Sequence, residues 1–408
     1  MRDDVSAARH AVGRHRSIWA GLVKALAVVV TVVVVSSVSV AAYGAWRLGH
    51  KIAVGSIDIG EKPPAGPAAL DGAFNVLLVG ADNVEGQKGF GDDRERAGSG
   101  SRNDVNILVH VSADHRSGTV VSLPRDLVIP HPDCSDPDTG ETFPAMSAQP
   151  LNTAFSRGGL GCVVGTVEAL TGLTIPYAAL FSFAGTVKMA DADGGVPVCV
   201  TKAIDDTDSG LKLHKGRNVV KGRTALAYLR SRHGVGDGSD LSRIASQQAY
   251  MSSLLRTMTS ASTFTDPGKL YGLANATADN VKLSQSLADT NTIVRMAVAM
   301  KDVDLDRMVF VQYPVGSDPM NSNKVIPNAE LATRLMARVQ QDKRIELDAD
   351  ALGVSARLSK KHRSAVTASP TPTPSGSAST RKHRSDKALL AGLRGQTAAQ
   401  QTCSIAAG

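Results

Sequence analysis

Between Ala25 and Trp46 the chain reads ALAVVVTVVVVSSVSVAAYGAW without one charged residue. A bilayer span needs ~20 such residues, so this run commits its segment to a membrane helix. Arg2, Arg9, Arg14, Arg16 and Lys24 precede it. That positive flank predicts a cytoplasmic N-terminus and an external position for everything after Trp46, with Tyr43 and Trp46 at the outer interface. A cleaved signal peptide competes with this reading, and small residues stand near Ala41 and Ala45. Its apolar region should be only ~7–15 residues, so an uncleaved anchor is expected.

The other end is equally unlike globular sequence. From Ser359 it mixes Ser, Thr, Pro and Ala, as in SAVTASPTPTPSGSAST, between the basic clusters KKHRS and RKHRS. Such composition cannot bury enough apolar surface to fold alone. The expected organisation is a basic leader (1–24), a transmembrane helix (25–46), a linker (47–69), one extracytoplasmic domain (70–345) and a disordered tail (346–408). Formal net charge is +7, but part of it sits in leader and tail, so it says little about a site. Those tail clusters would solubilise the chain or bind anionic wall polymers. Aromatic residues are 4% of the chain, too few for base-stacking platforms, and no nucleic-acid partner is expected.

Cys134, Cys162, Cys199 and Cys403 all follow the anchor, on the side where disulfides persist. They allow three pairings. Cys134 with Cys162 is favoured, because Cys134 lies in a Pro/Asp/Gly-rich loop and Cys162 opens a helix soon after it. Neither a CxxC nor a Cys/His pattern suggests zinc. DADGG (191–195) and DDTDSG (205–210) lack the full spacing of a calcium loop. The histidines are scattered, giving no support for a serine hydrolase.

In the core, FNVLLV from Phe74 reads as a buried strand that delivers Asp82 beyond its end, VNILVHV from Val105 follows Asp104, and SGTVVSLPRDLVI ends a third strand at Pro124, Arg125 and Asp126. Helical periodicity covers 160–173, 241–258, 287–301 and 328–341, with strands at 177–183, 196–200 and 307–313. Alternation of strands and helices argues a layered α/β/α sandwich rather than a barrel. Polar residues gather at strand ends, where open α/β sheets build their sites.

One of those clusters is RSRHGVGDGSDLSRIASQ, residues 230–247. On an extended segment, Arg230 and Arg232 would point to one face. Asp240, Arg243 and Gln247 then share a helix face by the three- and four-residue neighbour rule, opposite an apolar stripe of Ile244, Met251, Leu255 and Met258. Converging arginines suit phosphate oxygens. The competing reading is a solvated charge run pairing with Asp237 and Asp240.

The ordered motifs FNVLLVGAD, SRNDVNIL, SLPRD, LNTAFSRGG, DADGGVPV, KGRTALAYLRSRHG and DLSRIASQQ together resemble the LytR-CpsA-Psr family of cell-wall glycopolymer ligases. The resemblance implies a central mixed sheet and a single-pass protein of the cytoplasmic membrane whose domain faces the cell wall. It implies a phosphotransferase that moves an anionic glycopolymer from a polyprenyl-pyrophosphate carrier to a hydroxyl of peptidoglycan. By the family pattern Arg125, Arg230, Arg232 and Arg243 grip the phosphates, Gln247 hydrogen-bonds nearby, and Asp82 and Asp104 hold Mg²⁺, with Mn²⁺ the alternative, or position an arginine that contacts the phosphates. Arg102, Asp126, Asn152 and Asp240 complete the expected substrate site. The acceptor hydroxyl would lose its proton to Asp82 or Asp104, or be activated by the metal. The helices at 160–173 and 241–258 would line a channel for the lipid tail. Three positions depart from the pattern: Pro150 before Asn152's motif, Asp193 before Gly194, and Ser246 before Gln247. Two other functions use the same residues, a polyprenyl-pyrophosphate hydrolase and a lipid-phosphate-binding envelope regulator.

Overall fold

The computed structural model of the chain describes residues 18–60, 70–81, 102–136, 139–259, 267–301, 303–348, 351–352, 356–359 and 390–407. Asp82, the 61–69 part of the linker and the 360–389 part of the tail therefore lie outside the described residues. The chain divides into Met1–His50 and Lys51–Gly408. Ile18–Val54 is one helix, α1. Many side chains of the Ala25–Trp46 run lie outside the described set, and among the described residues no helix is long and apolar enough to cross a membrane.

The main sheet has strands β1 (Phe74–Ala81), β2 (Asn103–Val111), β3 (Gly118–Leu123), β4 (Tyr177–Ser182), β5 (Val281–Leu283), β6 (Met308–Gln312) and β7 (Gly395–Thr397). Their order is β5-β4-β1-β2-β3-β6-β7. β1 pairs antiparallel with β2 and parallel with β4, and β3 pairs antiparallel with β2 and parallel with β6. The sheet is thus mixed, as expected. The helices after α1 are α2 (Phe155–Thr171), α3 (Phe183–Ala192), α4 (Gly222–Arg230), α5 (Asp240–Met258), α6 (Pro267–Asn280), α7 (Gln285–Ala288), α8 (Thr290–Lys301) and α9 (Ala329–Gln340).

Alternation along β1 builds three layers, because successive side chains leave a strand on opposite faces. Leu77, Val79 and Ala81 pack with Val163 and Val167 of α2 and Leu335 and Met336 of α9. On the other face, Val76 and Leu78 join Leu287 of α7 and Ile293 and Met296 of α8. Burying a side chain of this size contributes about 1.5–3 kcal/mol, so the two apolar faces of the sheet dictate the sandwich.

A smaller four-stranded sheet, formed by Gly216–Val220, Val196–Val200, Thr402–Ser404 and Ala356–Leu358 in that order, covers a second core with Tyr228 and Tyr250. Both disulfides are formed, the expected Cys134–Cys162 and also Cys199–Cys403.

The tail expectation needs correction. Residues 390–407 return to the domain: Leu390, Leu393, Ala398 and Ala406 are buried, β7 adds the edge strand beside β6, and Thr402–Ser404 enters the smaller sheet. β7 opens with Gly395, where any Cβ would run into the Phe310 carbonyl, so only glycine lets the strand approach. Short strands of mixed polarity inside a biased tail carry little periodic signal.

Candidate active site

The C-terminal ends of β1, β3 and β4 and the beginning of β2 lie at one end of the sheet, which follows from the pairing directions. Asp104 stands at the start of β2, and the chain leaves β3 through a turn closed by the Leu127 amide on the Pro124 carbonyl, which presents Arg125. The Asn152 amide donates to the Arg125 carbonyl at 2.9 Å and fixes that turn from behind.

Arg125 is the hub of an ion-pair network. Its Nη1 lies 2.7 Å from Asp104 Oδ1, its Nε 3.3 Å from Asp126 Oδ2 and 3.9 Å from Asp240 Oδ1. Burial pulls its pKa down, but the charges of Asp104, Asp126 and Asp240 outweigh this and raise it above the ordinary arginine value. Lys324 Nζ meets Asp126 Oδ1 at 2.5 Å. Burial pushes the Asp126 carboxyl up, yet Lys324 and Arg125 together hold it below the usual carboxylate range. Sequence reasoning passed over Lys324, a lone lysine in the strand Asn321–Pro327 with no motif around it.

α5 begins here. Ser239 caps it by accepting from the Ser242 amide, a hydrogen bond that satisfies one of the open donors of the first turn. Asp240 and Arg243, three apart, pair at 2.6 Å, and Arg243 Nη2 also donates to the Asp104 carbonyl at 3.1 Å. Arg243 is 5% exposed. Burial lowers its pKa against the opposing pull of Asp240, and Arg125 lowers it further.

Arg230 and Arg232 do not lie on an extended segment as expected. Arg230 ends helix α4, Ser231 leaves it, and Arg232 is the next residue. The change of direction still brings both to the wall of one cavity of about 200 Å³, with Asp104, Arg125, Arg243 and Gln247. Four arginines against the single carboxylate of Asp104 line it. The Arg230 guanidinium stacks 4.4 Å over the Phe183 ring. The Gln247 amide donates to the Leu229 carbonyl at 2.9 Å, tying α5 to the last turn of α4. The Nε groups of Arg232 and Arg243 are buried and have no hydrogen-bond partner among the described residues. A buried guanidinium donor left unpaired is costly, and an anion relieves that cost.

An apolar cavity of about 300 Å³ adjoins the first, sharing Gly80, Val105, Phe181, Thr186, Leu229 and Gln247 with it. Met189 of α3 and Tyr250, Met251, Leu254 and Met258 of α5 also line it. α5, within 241–258, lines this apolar cavity, whereas α2, within 160–173, packs under the opposite face of the sheet and α3 stands in the wall instead. Met258 lines the cavity, and Met251 lines it while also packing against two of the hydrophobic cores.

Of the remaining expected residues, Asp126 and Asn152 stand behind Arg125 and do not line the cavity, and Arg102 is exposed at the entry to β2. Among the described residues no three His, Cys, Asp or Glu side chains form a metal cluster. The expected metal pair has only Asp104 described, and that carboxylate lines the arginine cavity. A hard cation that takes one or two protein carboxylates and fills its shell with phosphate oxygens and water fits such a donor set.

The chain is similar to the cell wall biosynthesis protein LcpA of Corynebacterium glutamicum, with 32% identity over 61% of this chain, which spans 51% of that protein's length. It is 26% identical to the polyisoprenyl-teichoic acid–peptidoglycan teichoic acid transferase TagT of Bacillus subtilis, over 72% of this chain and 87% of TagT. Among solved structures the fold matches that of a LytR-Csp2A-Psr enzyme from Actinomyces oris with a TM-score of 0.50 and 24% identity, over 70% of this chain and 94% of the other. The LytR_cpsA_psr family description matches residues 35–342, most of the chain, and the protein belongs to that family.

Proposed function

We propose that this protein is a membrane-anchored, extracytoplasmic phosphotransferase that moves an anionic glycopolymer from a polyprenyl-pyrophosphate carrier to a hydroxyl of peptidoglycan. The observation that carries the reading is the pair of buried Nε donors of Arg232 and Arg243, which have no hydrogen-bond partner among the described residues, beside an adjoining apolar cavity. One end of that composite space suits a pyrophosphate and the other a lipid tail. The transferase name of TagT and the cell wall biosynthesis name of LcpA support the same reaction class.

In this reaction the acceptor oxygen attacks the phosphorus that bears the glycan, and the bond to the bridging oxygen of the pyrophosphate breaks. Polyprenyl phosphate leaves with that oxygen and its electron pair, and the acceptor hydroxyl gives its proton to the Asp82 or Asp104 carboxylate. Arg125, Arg230, Arg232 and Arg243 take up the negative charge on the non-bridging and leaving oxygens, a preorganised stabilisation that acts most strongly in a site walled from water. Asp240 and Asp104 hold Arg243 and Arg125 in place by the ion pairs described. Asp104, with Asp82, would hold Mg²⁺ or Mn²⁺, which when bound neutralises phosphate charge. The apolar run Ala25–Trp46 anchors the enzyme in the cytoplasmic membrane, with the domain facing the wall.

The test is incubation of the full chain in detergent with a synthetic glycosyl polyprenyl pyrophosphate, Mg²⁺ and peptidoglycan fragments, read by mass spectrometry beside Arg125→Ala. A phosphodiester-linked conjugate, lost in the variant, is the expected result. Release of free glycan phosphate alone would make the protein a hydrolase, and tight binding without turnover would make it a sensor.

A further inference from the structure

The arginine cavity depends on a turn that is itself tightly braced from outside the cavity. Ser231, the residue between Arg230 and Arg232, is fully buried, and its hydroxyl donates to Asp206 Oδ2 at 2.5 Å. Asp206 is 5% exposed and lies on the hairpin Ile204–Asp206/Leu211–Leu213, outside the motifs of the site. Its other oxygen accepts the amides of Asp208 at 3.1 Å and Ser209 at 3.4 Å. The carboxylate is therefore fixed by its own turn before it meets Ser231. Burial pushes the Asp206 carboxyl up, and the hydrogen bonds from Ser231 and Ser209 outweigh it, holding the group ionised below the usual range.

The geometry allows the turn little freedom. Ser231 has left the helix, at φ −57 and ψ 126, while its amide still donates to the Ala227 carbonyl at 2.8 Å. Three residues on, a Cβ at Gly234 would stand 2.7 Å from Ser231 Oγ and 3.0 Å from Asp206 Cβ. A rotation of Ser231 would redirect Arg230 and Arg232 together, since they are its two chain neighbours.

We propose that Asp206 is a positioning residue for the pyrophosphate site, acting through the Ser231 hydroxyl to set the directions in which Arg230 and Arg232 enter the cavity. The proposal rests on the reading of that cavity as a pyrophosphate site. Asp206 is not part of the cavity wall. Its action is on how two guanidinium groups are spaced, so it matters most for a ligand that spans both.

Selectivity distinguishes this from a general loss of structure. The full chain in detergent is titrated calorimetrically with inorganic pyrophosphate and, separately, with inorganic phosphate, for the wild type, Asp206→Ala, Asp206→Asn, Ser231→Ala and Arg243→Ala. Loss of one hydrogen bond to a charged group predicts about a tenfold weaker pyrophosphate affinity in Asp206→Ala and Ser231→Ala. Phosphate affinity should change by less than about threefold, so the preference for pyrophosphate falls. Asp206→Asn, which keeps an acceptor for the hydroxyl, should lie between wild type and Asp206→Ala.

A uniform loss for both anions would indicate structural damage and overturn the proposal. Equal pyrophosphate binding by wild type, Asp206→Ala and Ser231→Ala, with loss in Arg243→Ala, would overturn it while leaving the site intact. A wild type that binds no pyrophosphate would overturn the site reading itself. If Asp206→Ala does not fold, Ser231→Ala, a smaller change, decides the question by the same ratio.

Discussion

Removing the Cys199–Cys403 bridge tests how the C-terminal segment is held. The bridge closes a separation of 204 residues and the Cys134–Cys162 bridge one of 28. In the chain-entropy model these separations correspond to ~5 and ~4 kcal/mol of stabilisation respectively, with typical measured values of ~2–4 kcal/mol. Neither loop contains the other, so the two effects can be separated. The longer one has a second consequence, because Thr402–Ser404 and Gly395–Thr397 are strands of three residues each. Beyond them, Gly236 donates to the Ile405 carbonyl at 2.8 Å and Ala407 to the Gly234 carbonyl at 3.1 Å, so the segment supports the loop after Arg232. In Cys199→Ser/Cys403→Ser we expect urea unfolding to show a loss of about 2–4 kcal/mol. Amide exchange at Gly236 and Ala407 should accelerate at least tenfold under native conditions, before global unfolding. Cys134→Ser/Cys162→Ser should lower stability without changing those two amides. Wild-type exchange at Gly236 in the first variant would refute the argument that the bridge secures this loop, and so would a larger stability loss in the second.

Three further outcomes follow from the geometry. Arg125→Lys should lower transfer about a hundredfold or more in the mass-spectrometric assay, since a point ammonium cannot meet Asp104 and Asp126 from the separate Nη1 and Nε positions that the guanidinium uses. Asp237 is held down to about 2, from 3.8, by hydrogen bonds from Ser239 and Ser242. This depressed acid stabilises the start of α5 above pH ~4 and loses that effect as pH falls through about 2, which carbon-detected NMR titration of Asp237 would follow. His131 runs through a higher window: burial, then Arg157, pushes it from 6.5 to about 4 against the opposing pull of the Gln149 backbone. Its neutral form is favoured in the folded protein, so stability is fully present above pH ~6.5 and declines toward pH ~4. Urea midpoints across that range should show the slope in wild type and a reduced slope in His131→Phe.

The layers were legible because they follow from periodicity. The apolar run FNVLLV and the apolar steps of 328–341 appear as β1 and α9, whose apolar residues share one core. The arginine cluster is legible in content but not in conformation. Arg230 and Arg232 were placed on an extended segment because their spacing suits one; α4 instead runs through GRTALAYLR and breaks at Ser231. Spacing alone cannot distinguish two residues on a strand face from two flanking a helix end, since both can converge on one ligand. Asn152 and Asp126 belong to sequence motifs of the site, yet they act behind Arg125, one through its backbone amide and the other as an ion-pair partner.

The residues that escaped the sequence reading share a physical reason. Lys324, Asp206 and the segment around Ile405 act through a few contacts with residues 25 or more positions away in sequence, and such contacts impose no period. A phosphate site can be announced by a run of arginines, because charge convergence demands many of them close together. What holds those arginines at the required angles is dispersed: a carboxylate on a small hairpin, a hydroxyl at a helix end, and a strand tied down by a disulfide. Preorganisation comes from the packing and hydrogen bonds behind the ligand-facing groups. Substitutions at Asp206 or Ser231 should therefore change anion selectivity even though neither residue lines the cavity, whereas substitutions on the exposed surface away from these supports should not.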